Sequence, residues 1–393
     1  MSRIKVNRIE NTSTTDGGID IDTDGHVKVD GLQLPTAGAL SSRRMNINGA
    51  MQVAQRETNA SISDGANEGY RTLDRWKVLF SSGAGGVATM TQDTTVPNKE
   101  FANSLKIDVT TADTSIDVNH AISIQYRFEA QDIANSGWDY NSSSSFLNVS
   151  FWARSNKAGT YCVFFQTLNG TTHGIVNEYT LAANTWQYVS FSVPGNSALQ
   201  FDDSSGGGLN VGWTLVAGSN RQDGVTAGQW IDATTGSAQG RYATSNQVNF
   251  FDSTNNNWYL TGVQIEVGSK ATSFEHRSYG DELARCQRYY VEISGGNDAF
   301  TYSGKGQGSN SVDVTIPLCV PLRASPTLNS IDSRAFTDSG SFAASSSTTP
   351  TAIQFSANNP HLAINCGGFS GLTNNEISVW GPRSNVLEIS AEL

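Results

Sequence analysis

Residues 258–290 read WYLTGVQIEVGSKATSFEHRSYGDELARCQRYY and contain the sharpest change of pattern in the chain. Within 258–267, Tyr259, Thr261, Val263, Ile265 and Val267 form one period-2 set, and Trp258, Leu260, Gly262, Gln264 and Glu266 form the other. That alternation predicts a strand. After a turn at 268–273, residues 281–288 suit about two helical turns with Leu283, Ala284 and Gln287 toward a neighbour, and from Tyr289 the polarity alternates again. The stretch reads as the last strand of one β domain, a hinge, and the first strand of another.

Outward from that hinge, composition points the same way. The chain has 393 residues, too many for one ordinary core, with 38 Gly and only 16% charged residues. Abundant Ser, Thr, Asn and Gly favour turns and strands over helices, so an all-β protein with long loops is expected. The formal charge of −11 and the absence of any Lys/Arg cluster larger than Arg43-Arg44 exclude nucleic acid as the expected partner. No apolar run is long enough to insert into a membrane, and the start MSRIKVNRIENT has no signal-peptide core, so neither membrane insertion nor signal-directed secretion is expected. Cys162, Cys286, Cys319 and Cys366 form no CxxC pair and read as small buried hydrophobes, with a bridge left open.

Before the hinge, strands are predicted over 76–80, 86–91, 104–109, 121–129, 146–154, 160–168, 175–180, 186–193, 209–216 and 258–267. About ten strands over roughly two hundred residues, without a long helix between them, predict an antiparallel jelly roll or β-sandwich. Two loops break the spacing, 196–208 and 218–257, and long loops on a rigid scaffold are where recognition usually sits. In YRTLDRW at 70–76, Asp74 and Arg75 suit a local ion pair, and Trp76 is either a ligand platform or the plug of a sandwich edge. After the hinge, short strands over 298–302, 311–316, 325–331, 352–355, 362–366, 376–379 and 386–389 predict a smaller C-terminal β-sandwich. The segment before the linker at 35–42 alternates at 4–6, 19–21 and, after the turn Asp24-Gly25, 27–29. It is too short to bury a core, and is either a flexible tail or an extended segment that orders by assembly. The expected division is 1–42, 43–280 and 281–393.

Three stretches carry a resemblance to a known family: TGVQIEVGSKATSFEHRSYGDELARCQRYY at 261–290, MNINGAMQVAQRETN with YRTLDRW within 44–76, and VSFWARSNKAGTYCVFF with NTWQYVSFSVPG within 149–195. PLCVPLRASPTL at 317–328 is similar to what commonly follows. Together they resemble tailed-phage and prophage tail fibre, or receptor-binding, proteins. The resemblance implies a virion tail protein made in the host cytoplasm, with a jelly-roll domain like carbohydrate-binding modules. It further implies a homotrimer, an N-terminal attachment segment for tail or baseplate proteins, and host surface polysaccharide as receptor. A tail or baseplate component without receptor contact is the alternative.

Sugar binding needs aromatic faces for C–H patches and planar polar groups for hydroxyls. Trp138, Trp230 and Tyr242, with Asn220, Gln222 and Asp232, are the candidate ligand residues. Asp202, Asp203 and Asp223 are the candidate oxygen ligands for a structural calcium, or else solvated turn acids; no other cofactor is expected. For hydrolysis, these acids with Asp232, Asp252 and Glu266 supply carboxylates but no distinctive pair. GxSxG, HExxH and P-loop patterns are absent, the histidines at 26, 120, 173, 276 and 361 lack ligand spacing, and no catalysis is expected. In the hinge, Glu275, His276, Arg277, Asp281, Glu282, Arg285 and Arg288 alternate in charge and are expected to clamp neighbouring domains or subunits.

Overall fold

The computed structural model describes residues 8–10, 18–21, 27–29, 32–33, 43–81, 83–233, 241–294, 302–329, 333–337, 351–355, 360–370, 372, 377–382 and 386–393. The expected alternation at 4–6, the turn Asp24-Gly25, the linker at 35–42, His26 and residues 298–301, 330–331 and 376 lie outside them. The first strands, β1 (Arg8–Glu10), β2 (Gly18–Ile21), β3 (Val27–Val29) and β4 (Leu32–Gln33), pair consecutively and antiparallel.

Thirteen strands follow: β5 (Asn59–Ile62), β6 (Gly69–Tyr70), β7 (Lys77–Ser81), β8 (Val87–Asp93), β9 (Ser104–Thr111), β10 (Ala121–Glu129), β11 (Phe146–Ser155), β12 (Gly159–Thr167), β13 (His173–Leu181), β14 (Gln187–Pro194), β15 (Gly207–Ala217), β16 (Ile231–Asp232) and β17 (Asn257–Val267). They form a seven-stranded sheet, β16-β13-β12-β15-β10-β7-β6, and a six-stranded sheet, β14-β11-β17-β9-β8-β5. The chain passes repeatedly from one to the other, as in a jelly roll. Alternate residues of both sheets meet in one core, in which Phe151 and Trp76 pack against Trp213 at 5.6 and 5.4 Å between ring centroids. Trp76 is therefore the plug. Its indole N–H donates to the Asn48 carbonyl at 3.0 Å.

Strand β17 departs from the simple alternation. Trp258 and Leu260 point into the core, and so do Val263 and Ile265. The phase reverses at Gly262, which has φ +62° and lies where the β11–β17 register slips between Ser150 and Trp152. One extra residue makes a bulge. Tyr259 and Thr261, expected on the same side as Val263, are turned to the opposite face.

A short helix, α1 (Ala130–Ala134), follows β10, and α2 (Tyr279–Gln287) follows β17. Ser278 caps α2, its Oγ accepting the Asp281 N–H at 3.2 Å. The buried residues of α2 are Glu282 and Cys286, while Leu283, Ala284 and Gln287 are half-buried. Hydrophobicity alone misplaces this face because a carboxylate can be buried when it is paired, and Glu282 is bonded to Arg44.

Beyond α2, a three-stranded sheet takes the order β18-β26-β21 and a six-stranded sheet β22-β25-β19-β20-β24-β23. Their ranges are β18 (Tyr290–Ser294), β19 (Tyr302–Gly306), β20 (Val312–Pro317), β21 (Thr327–Asn329), β22 (Ser333–Thr337), β23 (Thr351–Phe355), β24 (His361–Cys366), β25 (Ile377–Pro382) and β26 (Val386–Ser390). Leu328, Leu387 and Ile389 from the first sheet meet Val314, Ile364 and Trp380 from the second in a separate core, completing the smaller β-sandwich. All four cysteines are free; Cys319 is exposed, contrary to the buried position expected of it, and the other three are buried.

Candidate functional site

The jelly roll has two outward sheet faces, and they differ in what covers them. On the seven-stranded sheet, Ser123, Gln125, Asn210 and Thr214 form a buried polar layer. Gln125 Nε2 donates to Ser123 Oγ at 2.9 Å, and Asn210 Nδ2 to Gln125 Oε1 at 3.1 Å. The long connection after β15 lies over this layer. Tyr242 packs on Phe164 at 4.7 Å, its carbonyl accepts from Thr214 Oγ1 at 2.5 Å, and Arg221 donates to Asn119 O and Ser81 Oγ, each at 2.9 Å. Phe164 lies flat across β15 at Gly212, where a Cβ would stand 2.2 Å from the ring.

On the six-stranded sheet, the return at 268–277 covers one end, with Gln264 donating to Thr272 Oγ1 at 3.1 Å and Ser192 Oγ to Ser269 O at 2.7 Å. The other end presents aromatic rings. Trp152 and Tyr188 are direct cross-strand partners with ring centroids 5.3 Å apart, and Tyr188 is 49% exposed. In the next row, Arg154 is paired with Tyr259, and Trp186 packs on Tyr259 at 5.9 Å. The Arg154 guanidinium and the Lys106 ammonium lie 5.1 and 5.6 Å from the Tyr259 ring. Strand period places these side chains on one face, and the bulge at Gly262 puts Tyr259 among them. Tyr188 is exposed, Trp152 and Trp186 are half-buried and Tyr259 is buried; accessible ring edges bordered by a guanidinium, an ammonium and hydroxyls can cover sugar C–H patches and bond sugar hydroxyls.

The expected ligand residues are not brought together in this way. Trp138 is 3% exposed and packs with Tyr140 and Phe201, so it belongs to the core. Its flanking polar loop gives it the look of a surface ring, but Tyr140 and Phe201 pack against it. Trp230 is half-buried and donates to the Pro194 carbonyl at 2.7 Å, joining the rims of the two sheets, and Asp232 is exposed on β16 beside β13. Asn220 donates to Asn119 Oδ1 at 2.9 Å and Gln222 to Ala217 O at 2.8 Å. Tyr242 is half-buried against Phe164.

The acids are similarly engaged. Asp202 accepts from Ser204 Oγ at 2.6 Å and Asn169 Nδ2 at 3.1 Å, Asp203 from Asn135 Nδ2 at 2.7 Å, and Asp223 stands 4.0 Å from Arg241. Asp252 pairs with Lys157 at 2.5 Å, and Glu266 accepts from Thr272 Oγ1 at 2.7 Å. Among the described residues, no three His, Cys, Asp or Glu side chains converge as a metal-ligand group.

The hinge charges belong to a wider buried network. Arg44 pairs with Glu282, which also accepts the Asn48 N–H at 2.6 Å. Glu275 accepts the Arg44 N–H at 2.9 Å and stands 3.6 Å from Arg277, which donates to the Arg44 and Asn46 carbonyls. His276 packs on Phe274 at 4.8 Å, Asp281 bonds only its cap Ser278, and Arg285 is exposed without a hydrogen bond or ion pair among the described residues. Among the described residues of this chain, Arg285 makes no contact between domains. Arg288 does: its Nε and Nη2 donate to the fully buried Glu129 at 3.1 and 2.9 Å, and Tyr289 Oη donates to the same carboxylate at 2.6 Å.

Arg75 missed its expected partner as well. Asp74 accepts the Gln55 N–H at 3.0 Å, whereas Arg75 pairs with Glu392, donates to the Arg127 carbonyl and lies 3.5 Å from the Tyr289 ring centroid. Tyr70 Oη donates to Leu393 O at 2.9 Å, and burial, then Glu392, push its phenol up to about 12. On α1, partial desolvation and then the Glu129 carboxylate push the carboxyl of Asp132, an exposed residue, up to about 6. A carboxyl raised in the folded state binds its proton more tightly there, so its contribution is present at low pH and is lost as pH rises through about 6. The thermal midpoint of the native chain is expected to gain on that of Asp132→Asn as pH falls from about 7 to 5; parallel curves would contradict this.

No protein-family model matches the chain, and no curated protein does. Solved structures overlap it in part. A putative sugar binding protein from Bacteroides thetaiotaomicron has 11% identity and a TM-score of 0.29, covering 58% of this chain and 100% of that one. A family 30 carbohydrate binding module has 13% identity and a TM-score of 0.24, covering 58% and 96%. The enzymatically active domain of bacteriophage CBA120 tailspike protein 4 has 9% identity and a TM-score of 0.29, covering 57% of this chain and 22% of that one. Likenesses of this size decide nothing about ligand or partner, and the fold stands on its own strand order.

Proposed function

We propose that the protein is a receptor-binding component of a bacteriophage tail, a homotrimer that holds host surface glycan without cleaving it. The observation that carries the binding reading is the open aromatic end of the six-stranded sheet, with Trp152 and Tyr188 side by side and Arg154 in the adjoining row. The rings take the C–H faces of the glycan, and Arg154, Lys106 and Ser190 take its hydroxyls. The tail setting is supported by the stretches that resemble tail fibre proteins, which supply the β11 platform strand and both sides of the buried Asn48–Glu282 contact. Attachment through the N-terminal strands is supported by Ile9, Ile19 and Ile21, whose apolar side chains are exposed on that short ladder and would be covered by another chain.

Soluble protein is expected to compete with phage particles for host cells. Trp152→Ala and Tyr188→Ala are each expected to weaken that competition at least about tenfold, ~1.4 kcal/mol, with the thermal midpoint little changed. Competition by both variants at the native level would remove the platform from the reading. Release of reducing sugar from host polysaccharide would replace binding with hydrolysis.

A further inference from the structure

Between the jelly roll and the three-stranded sheet lies a cleft of about 590 Å³, a size typical of small-molecule sites. One wall is the polar face of that sheet. Val291 and Ile293 on β18, and Leu387 and Ile389 on β26, turn into the C-terminal core. Their alternates Tyr290, Glu292, Glu388 and Ser390 line the cleft, and Asn329 of β21 donates to Glu388 at 3.2 Å. The opposite wall carries Arg56 and Arg71.

Glu292 and Glu388 are direct cross-strand partners, a placement in which like charges repel. Neither has an ion-pair partner among the described residues, because the facing arginines are engaged elsewhere. Arg56 pairs with Glu392 at 3.4 Å and covers the Tyr290 ring at 3.6 Å, and Arg71 stands 3.9 Å from Glu57. Burial, then Glu388, holds the Glu292 carboxyl above its ordinary range. A second observation is independent of that repulsion. Tyr290 is 1% exposed, and its hydroxyl, on the same sheet face and near Glu292, makes no hydrogen bond of proper geometry. A buried hydroxyl without a well-formed partner is costly, and a ligand that supplies one removes the cost.

We propose that this cleft binds a saccharide carrying a free amino group, with the ammonium between Glu292 and Glu388 and a sugar hydroxyl accepting from Tyr290. The volume far exceeds that of a bare ion. Apart from the tyrosine rings the lining is polar, so the methylenes of a polyamine would find little apolar wall, whereas sugar hydroxyls meet Ser390, Asn329 and Arg71. The site is separate from the Trp152 platform and uses charge where the platform uses rings.

Calorimetric titration of the full chain with glucosamine trimer and with N-acetylglucosamine trimer tests the assignment. The free-amine trimer is expected to bind and the acetylated one to give no saturable heat. Glu292→Gln and Glu388→Gln are each expected to lower affinity at least about tenfold, as when one member of a charge-assisted contact is neutralised, and the double variant to abolish binding. Both substitutions relieve like-charge repulsion and keep shape, so thermal midpoints at or above the native value are expected; Tyr290→Phe, which keeps the ring, is expected to weaken binding as well. Silence of the native chain, equal binding of both trimers, or native affinity in the double variant would overturn the proposal. So would saturable heat from calcium chloride alone that the double variant loses, with the trimer silent, since that describes a cation site.

Discussion

Arg75→Ala is expected to lower the stability of the chain by about 3–5 kcal/mol, the usual consequence of removing one partner of a buried ion pair. Arg75 is fully buried, and its guanidinium holds together three segments distant in sequence: the Glu392 carboxylate, the Arg127 carbonyl and the Tyr289 ring. Alanine would leave Glu392 buried with Arg56, at 3.4 Å, as its remaining ion-pair partner among the described residues. It would also open a void against Tyr289 and Tyr126, since Arg75 contributes packing as well as charge. Denaturant titration followed by fluorescence of the core tryptophans reports the change. Arg75→Lys keeps the charge without the planar fork and is expected to fall between the two. A loss below about 1 kcal/mol for alanine would place the pair among weakly contributing surface contacts.

Gly49→Ala is the second substitution with a large expected effect, a loss of about 3 kcal/mol, at the upper end for overpacking. A Cβ at position 49 would lie 2.1 Å from the Val263 carbonyl oxygen, and within 3 Å of Asn46 Nδ2 and Arg44 Nη1. None of these can yield easily. The Val263 N–H donates to the Gly49 carbonyl at 2.9 Å, and Asn46 Nδ2 donates to the Val263 carbonyl at 2.9 Å, so both backbones are held in place. Gly280 is the control. It lies in α2, where a Cβ would meet nothing within 4 Å, and alanine there is expected to be neutral or to add about 0.5–1 kcal/mol through helix preference. Thermal midpoints of the two variants, read side by side, separate collision from a general intolerance of alanine.

Much of the fold was legible because strand period is a local signal. The range 121–129 coincides with β10, and 146–154, 209–216 and 258–267 fall within one or two residues of β11, β15 and β17. The bulge at Gly262 was not legible, since both phases of 258–267 contain apolar residues and only pairing with β11 shows where they exchange. Register is nonlocal information. The same limit hid the candidate platform: Trp152 and Tyr188 are thirty-six positions apart in the chain, and only the β11–β14 ladder makes them neighbours. Trp138 and Trp230 stood out in sequence because polar residues surround them, yet one is core and the other ties the sheet rims. In the hinge, the density of charge was visible, but its division into buried Glu282, Arg288 and Glu129 contacts and exposed Arg285 required partners that lie far along the chain.

The bulge at Gly262 also sets the kind of genetic change this surface tolerates. With the extra residue present, the two halves of β17 keep opposite phases, so that Trp258 and Leu260 share the interior with Val263 and Ile265. Loss of a single codon there would bring the halves into one phase and force one pair of core residues outward. Point replacement at Trp152, Tyr188 or Trp186 leaves that phase relation intact, whereas a change of length in the central strand reaches the core.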